Sequence, residues 1–145
     1  MRELPRKLTA DELAELFEGR TRFVERLARH EWPLAAAATL VHELSEDEKK
    51  EVLAAHPAIG AGNLSGRSAA EQGSDEDPAV LAELARLNRA YEDRFGFRFV
   101  VFVNRRPRRD IVPILRERLG RSREEELETA LDELVAIARD RWTTT

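Results

Sequence analysis

Ser/Thr-x-x-Glu tetrads run directly into apolar stripes at Thr9–Glu12, Ser45–Glu48 and Ser122–Glu125. In such a tetrad the hydroxyl accepts from the backbone N–H three residues on, and the glutamate reaches back to the N–H of the first residue. Each tetrad therefore marks a helix start by satisfying donors that a helix N-terminus would otherwise leave open. Asp77-Pro78 marks another, with a capping carboxylate before a proline whose missing N–H costs nothing in the first helical position. The stripes that follow have helical spacing. Leu13, Leu16 and Phe17 follow Thr9, with Gly19 as a natural stop. Val52 and Leu53 follow Ser45 in a helix ending near His56-Pro57. Leu84, Leu87 and Tyr91 follow Asp77 until Phe95-Gly96-Phe97 breaks the pattern. Leu127, Leu131, Leu134, Ala138 and Arg141 follow Ser122 in a helix reaching about Trp142.

Shorter helices are expected around Phe23, Val24 and Leu27, and across the alanine-rich stretch 34–44 opened by Trp32-Pro33. One more should be capped by Asp110, which would put Pro113 in its first turn. Phe97–Val103 (FRFVVFV) alone has strand character. A strand without a partner makes no sheet, so an extended or irregular buried segment is predicted there. Between Ala58 and Pro78, Gly60, Gly62, Gly66 and Gly73 indicate a long loop, broken by one helical turn at Ser68–Gln72. Loops of that length in compact domains are usually functional or disordered. The expected fold is all-α: a single compact multi-helix domain over 1–145, with a long functional loop and one extended buried segment.

Composition narrows the class of partner. The chain has 145 residues, 42% of them hydrophobic and 36% charged, which suits a globular core under a heavily solvated surface. A formal charge of −4 argues against general nucleic-acid binding. The run Arg105, Arg106, Arg108 and Arg109 reads as solvated loop charge, since no aromatic stacking platform accompanies it. The absence of cysteine removes disulfides, thiolate zinc sites and a cysteine nucleophile. The first residues lack the apolar core of a secretory signal, and no apolar run is long enough to span a bilayer. A cytoplasmic protein is expected, with neither nucleic acid nor membrane as partner. His30, His42 and His56 are its only histidines and show no ligand spacing, so no metal is expected.

Function is best sought where polar residues occupy apolar positions. His56 follows Val52 by four and Leu53 by three, on the inward face of a helix C-terminus, at the mouth of the glycine-rich loop. There the helix dipole favours imidazolium and burial disfavours it. It is either a core-edge histidine bonded to a backbone carbonyl or a group with a tuned proton affinity. Arg141 continues the apolar stripe of the last helix, where an unpaired guanidinium would be very costly. It either pairs with an internal carboxylate or binds a substrate anion. Its own helix offers no carboxylate on that stripe, so a substrate ligand held by water in the empty protein is the preferred expectation. Ser68 and Glu71 either cap a turn or, with Gln72, read the edge of a polar heterocycle. Asn88 sits on a largely apolar face and either satisfies nearby backbone or lines a site.

Taken in order, AAHPAIGA (54–61), SAAEQG (68–73), LNRAYEDRFGFRFVVFV (87–103) and AIARDRW (136–142) resemble the OHCU decarboxylases, the 2-oxo-4-hydroxy-4-carboxy-5-ureidoimidazoline decarboxylases of urate degradation. The resemblance covers nearly the whole chain. It implies an all-helical, cofactor-free enzyme, a homodimer, that releases CO2 from a small-molecule substrate to give (S)-allantoin. It implies His56, Glu71 and Arg141 as catalytic residues. It implies substrate binding by Pro57, Ser68 and Gln72 and by the main chain of Phe99, Val100, Val101, Phe102 and Val103. A short glycine-rich loop between Pro57 and Ser68 departs from the family pattern. The competing readings are a helical binding or adaptor protein on the same scaffold, and a paralogous decarboxylase of a related ureido acid. An enzyme should gather His56, Glu71 and Arg141 within one ligand's reach, which an adaptor has no reason to do.

Overall fold

The computed structural model describes residues 3–57 and 77–144. The helices are α1 (Ala10–Phe17), α2 (Arg22–Leu27), α3 (Pro33–Leu40), α4 (Glu46–Ala55), α5 (Pro78–Phe95), α6 (Arg108–Leu119) and α7 (Arg123–Thr144), with a 3₁₀ turn at Val41–Glu43. The expected starts are present. Thr9 and Ser45 make reciprocal capping boxes with Glu12 and Glu48. Ser122 and Glu125 exchange the same two bonds, at 3.1 and 3.2 Å. The Asp77 carboxylate accepts from the Ala79 N–H at 2.9 Å. Gly96 closes α5 in the left-handed region (φ +79°), a conformation glycine adopts without penalty.

α7 is the axis of the domain. Its 22 residues extend about 33 Å at helical rise, and α1, α3, α4 and the 3₁₀ turn pack along it. Leu127, Ala130, Leu131, Leu134, Ile137 and Ala138 supply its buried stripe. α5 and α6 pack against each other, and Phe17 meets Phe23 edge to face at 5.4 Å between α1 and α2.

Two local expectations need correction. α6 is capped by Pro107 rather than Asp110, and begins at Arg108. Asp110 lies in its first turn, where its charge complements the helix dipole, and Pro113 falls inside the helix. There the proline removes the bond to the Arg109 carbonyl, a loss the packed helix tolerates because Ile111, Val112 and Leu115 bury its inner face. The second correction concerns α1, whose last helical residue is Phe17 and which is closed by Glu18, in left-handed backbone, one residue before Gly19.

Phe97–Val103 is extended and buried, as expected, with no strand pairing among the described residues. Its backbone is satisfied by side chains instead of a neighbouring strand. Arg118 donates to the Val100 carbonyl at 2.8 Å. Arg106 donates to the Phe102 and Val103 carbonyls at 2.7 and 2.8 Å. The Glu133 carboxylate accepts from the Phe102 N–H, while burial raises its proton affinity. Arg106 is thus a backbone clamp and not solvated loop charge. Behind the segment, Glu126 is fully buried and accepts from Tyr91 (2.6 Å), Arg118 (2.7 Å) and Arg121 (3.1 Å). The Arg118 guanidinium also lies 4.5 Å over the Phe99 ring. Tyr91→Phe deletes one charge-assisted bond from this network and should cost about 1.5–3 kcal/mol. Urea unfolding with an unchanged m-value would measure it.

Candidate active site

Four chain segments converge here: the C-terminal ends of α1 and α4, the last turn of α7 and the extended segment. His56 is the residue at which α4 ends, with extended backbone (φ −82°, ψ 134°) and its N–H donated to the Leu53 carbonyl at 3.2 Å. Ending the helix there turns the ring inward, and the residue is 7% exposed. Ring atom Nδ1 is buried without a hydrogen-bond partner among the described residues. Burial, reinforced by the Arg141 charge, pushes the His56 proton affinity down to about pKa 4; Glu18 opposes this and Arg98 adds to it. His56 is therefore a neutral imidazole at neutral pH, one nitrogen a donor and the other an acceptor. The helix C-terminus does not win against burial here.

Arg141 arrives from the last turn of α7 and is 1% exposed. Its Nη1 donates to the Leu16 carbonyl at 2.9 Å, and its Nη2 lies 3.0 Å from Glu18 Oε1. The expectation of a guanidinium held by water is overturned. The carboxylate absent from its own stripe comes from α1, 123 positions away in sequence, and the pair is shielded because the Glu18 side chain is only 14% exposed. Glu18 takes left-handed backbone (φ 64°, ψ 20°), which costs a non-glycine residue roughly 1–2 kcal/mol. The following Gly19 is required for contact rather than for its own dihedral: a Cβ there would meet the Ala55 Cβ at 3.1 Å. That close approach lays the end of α1 on the end of α4, beside His56.

Arg98 ties the extended segment to the same place. Its Nη1 donates to the His56 carbonyl at 2.6 Å and to the Ala54 carbonyl at 3.1 Å, and its Nε pairs with Glu92 at 3.2 Å. Phe99 begins one residue later, so the 99–103 main chain is anchored to the His56 turn. Phe99, Val100, Val101 and Val103 are buried and Phe102 is half-buried. The amides of this segment are not uniformly open to a ligand, since Glu133 takes the Phe102 N–H. Asn88 is buried on α5. Pro57 is half-buried directly after His56. Ser68, Glu71 and Gln72, with the proposed turn they form, lie outside the described residues.

Sequence reasoning missed Glu18 and Arg98. Arg98 carried a usable signal, a lone cation inside an otherwise apolar run. Glu18 carried none, because one glutamate near a helix end is ordinary until the tertiary structure puts an arginine against it. No group of three His, Asp or Glu residues among those described is arranged to hold a metal ion, and no described helix is long and apolar enough to cross a membrane.

These features define a class: an all-helical domain whose candidate site brings together a helix-ending histidine and a buried arginine of the last helix. The OHCU decarboxylase family model matches residues 2–143, and the chain belongs to that family. A 2-oxo-4-hydroxy-4-carboxy-5-ureidoimidazoline decarboxylase of Haloferax volcanii is 32% identical over 140 residues, covering 88% of this chain and 83% of that protein. Its counterpart in Halalkalicoccus jeotgali is 33% identical over 108 residues, covering 71% of this chain and 61% of that protein. A crystal structure of OHCU decarboxylase in the presence of (S)-allantoin matches with a TM-score of 0.77, over 92% of this chain and 96% of that one. At 22% identity that likeness is one of fold.

Proposed function

We propose that this chain, as a single domain over 1–145, decarboxylates 2-oxo-4-hydroxy-4-carboxy-5-ureidoimidazoline to (S)-allantoin without a cofactor. The observation that carries the reading is His56: a buried imidazole whose Nδ1 has no hydrogen-bond partner among the described residues, set within electrostatic reach of a buried arginine. An adaptor surface gains nothing from that arrangement. The family supports the substrate, and the relatives' names give the same reaction.

Decarboxylation leaves an electron pair that must be delocalised. In this substrate the carboxylated carbon adjoins a ring C=N, so the pair of the breaking C–C bond passes into the ring and one proton is taken up per CO2 released. The hydroxyl on the same carbon then becomes the ring carbonyl, losing its proton while the neighbouring carbon gains one on a single face. A neutral imidazole suits that transfer, because it can accept the hydroxyl proton and return one to carbon without first being charged. His56 has this role. The working form is the neutral ring rather than an imidazolium donor, as its depressed proton affinity indicates. An anionic substrate beside it would raise that affinity as the proton moves.

Arg141 meets a ring or ureido oxygen, where charge accumulates; clamping the departing carboxylate would favour the ground state. Glu71, Ser68 and Gln72 hold the ureido and ring N–H groups, with Pro57 and the main chain of Phe99, Val100, Val101, Phe102 and Val103 completing the binding surface. Family resemblance supports action as a homodimer, and composition supports a cytoplasmic location. The test is to generate the substrate from urate in situ and follow allantoin by circular dichroism. Faster appearance of the (S) enantiomer than in the enzyme-free reaction supports the proposal. A racemic product at the spontaneous rate overturns it.

A further inference from the structure

One helix end supplies two acceptors to Arg141. Leu16 offers a carbonyl at the terminus of α1, where carbonyls lack intrahelical donors, and it accepts Nη1 at 2.9 Å. Glu18, two residues on, presents its carboxylate to Nη2 at 3.0 Å. Two acceptors on two different terminal nitrogens fix both the position and the plane of a guanidinium, which one contact would leave free to turn. The carboxylate reaches Nη2 from left-handed backbone, a conformation unusual for glutamate. Directly after it, the glycine contact with Ala55 fixes this helix end against the turn that carries His56.

We propose that Glu18 is a positioning residue for the reaction site, holding the plane of the Arg141 guanidinium beside His56 and offsetting its charge. The proposal rests on the decarboxylase reading for its catalytic consequence but not for its geometry. Among the described residues, the charged groups that act on His56 are Glu18 at the end of α1, Arg141 on α7 and Arg98 on the extended segment. Glu18 is the one among them that favours a protonated ring. Neutralising it removes a charge that favours the protonated ring and keeps the Arg141 and Arg98 charges that disfavour it.

Glu18→Gln keeps the shape and an acceptor oxygen while removing the charge, and Glu18→Ala removes both. In the circular-dichroism assay, folded Glu18→Gln should lose roughly 10- to 100-fold in kcat, as small misplacements of a site group do, with KM within about threefold. Independently of turnover, NMR of the Arg141 Nε–H and of the His56 ring reads the geometry, with His56→Asn assigning the ring signal. In Glu18→Gln the Arg141 resonance should shift, and His56 should begin to titrate at lower pH than in the wild type. Unmoved resonances overturn the proposal whatever the melting temperature. So does wild-type kcat in a folded Glu18→Gln, which would leave Glu18 a purely structural partner. If the wild type makes no (S)-allantoin, the decarboxylase reading falls and the two resonances alone decide whether Glu18 positions Arg141.

Discussion

Replacing His56 with asparagine is expected to leave a folded protein that has lost about 10²- to 10⁴-fold in turnover, the contribution of a positioned proton-transfer group. Asparagine retains a donor and an acceptor of comparable reach but cannot take up and return a proton. Stopped-time circular dichroism of allantoin formed by wild type and variant measures the loss. Near-wild-type turnover would remove His56 from the mechanism. The same variant should alter acid stability. In the wild type the folded state holds His56 neutral down to about pH 4, whereas the unfolded chain protonates it near pH 6.5. Between those values the unfolded state binds more protons, so stability falls as pH falls. The full window is worth about 3 kcal/mol, with the contribution intact above pH 6.5 and lost by about pH 4. His56→Asn should flatten that part of the stability profile, as urea midpoints at stepped pH would show. An unchanged slope would mean the ring is not held neutral by its surroundings.

Arg141→Ala is expected to impair stability and catalysis together. The substitution removes a fully buried side chain, strands the Leu16 carbonyl and leaves the Glu18 carboxylate in a site only partly open to water. Breaking a buried pair by deleting one member costs about 3–5 kcal/mol, and the slight exposure of Glu18 favours the lower end. Arg141→Lys separates the two roles. Its ammonium can satisfy one of the two acceptors and so recover part of the melting temperature, but a point charge cannot reproduce the planar fork. Turnover by Arg141→Lys should therefore stay close to that of Arg141→Ala. Full catalytic recovery by lysine would show that charge alone is what the site needs. A melting temperature for Arg141→Ala equal to that of the wild type would show that the Glu18 pair contributes nothing to the fold.

Much of this protein is written locally. The capping boxes at Thr9, Ser45 and Ser122, and the Asp77-Pro78 start, are decided by bonds between residues three or fewer apart, and such bonds form wherever the chain goes. The apolar stripe of α7 likewise foretells which face is buried. Arg141 was visible because a charge in that register must be reconciled with burial, and His56 because a helix ending at His-Pro turns its ring toward the core. The same criterion applied to Arg98 would have exposed the strap between the extended segment and α4.

What the tertiary structure decided is how those groups are paired and charged. The start of α6 escaped because Asp110 and Pro107 offer competing local beginnings, and the helix takes the earlier one with Pro113 inside it. The partner of Arg141 lies at the other end of the chain, and no spacing rule joins position 18 to position 141. The protonation of His56 depended on whether a helix end or a desolvated site with two nearby cations would prevail, and only the assembled packing sets that balance. Sequence alone determined the helices and the residues that break their pattern, because those follow from short-range bonds and side-chain periodicity. The electrostatics of the site belong to the fold, because burial and long-range proximity exist only once α1, α4 and α7 have met.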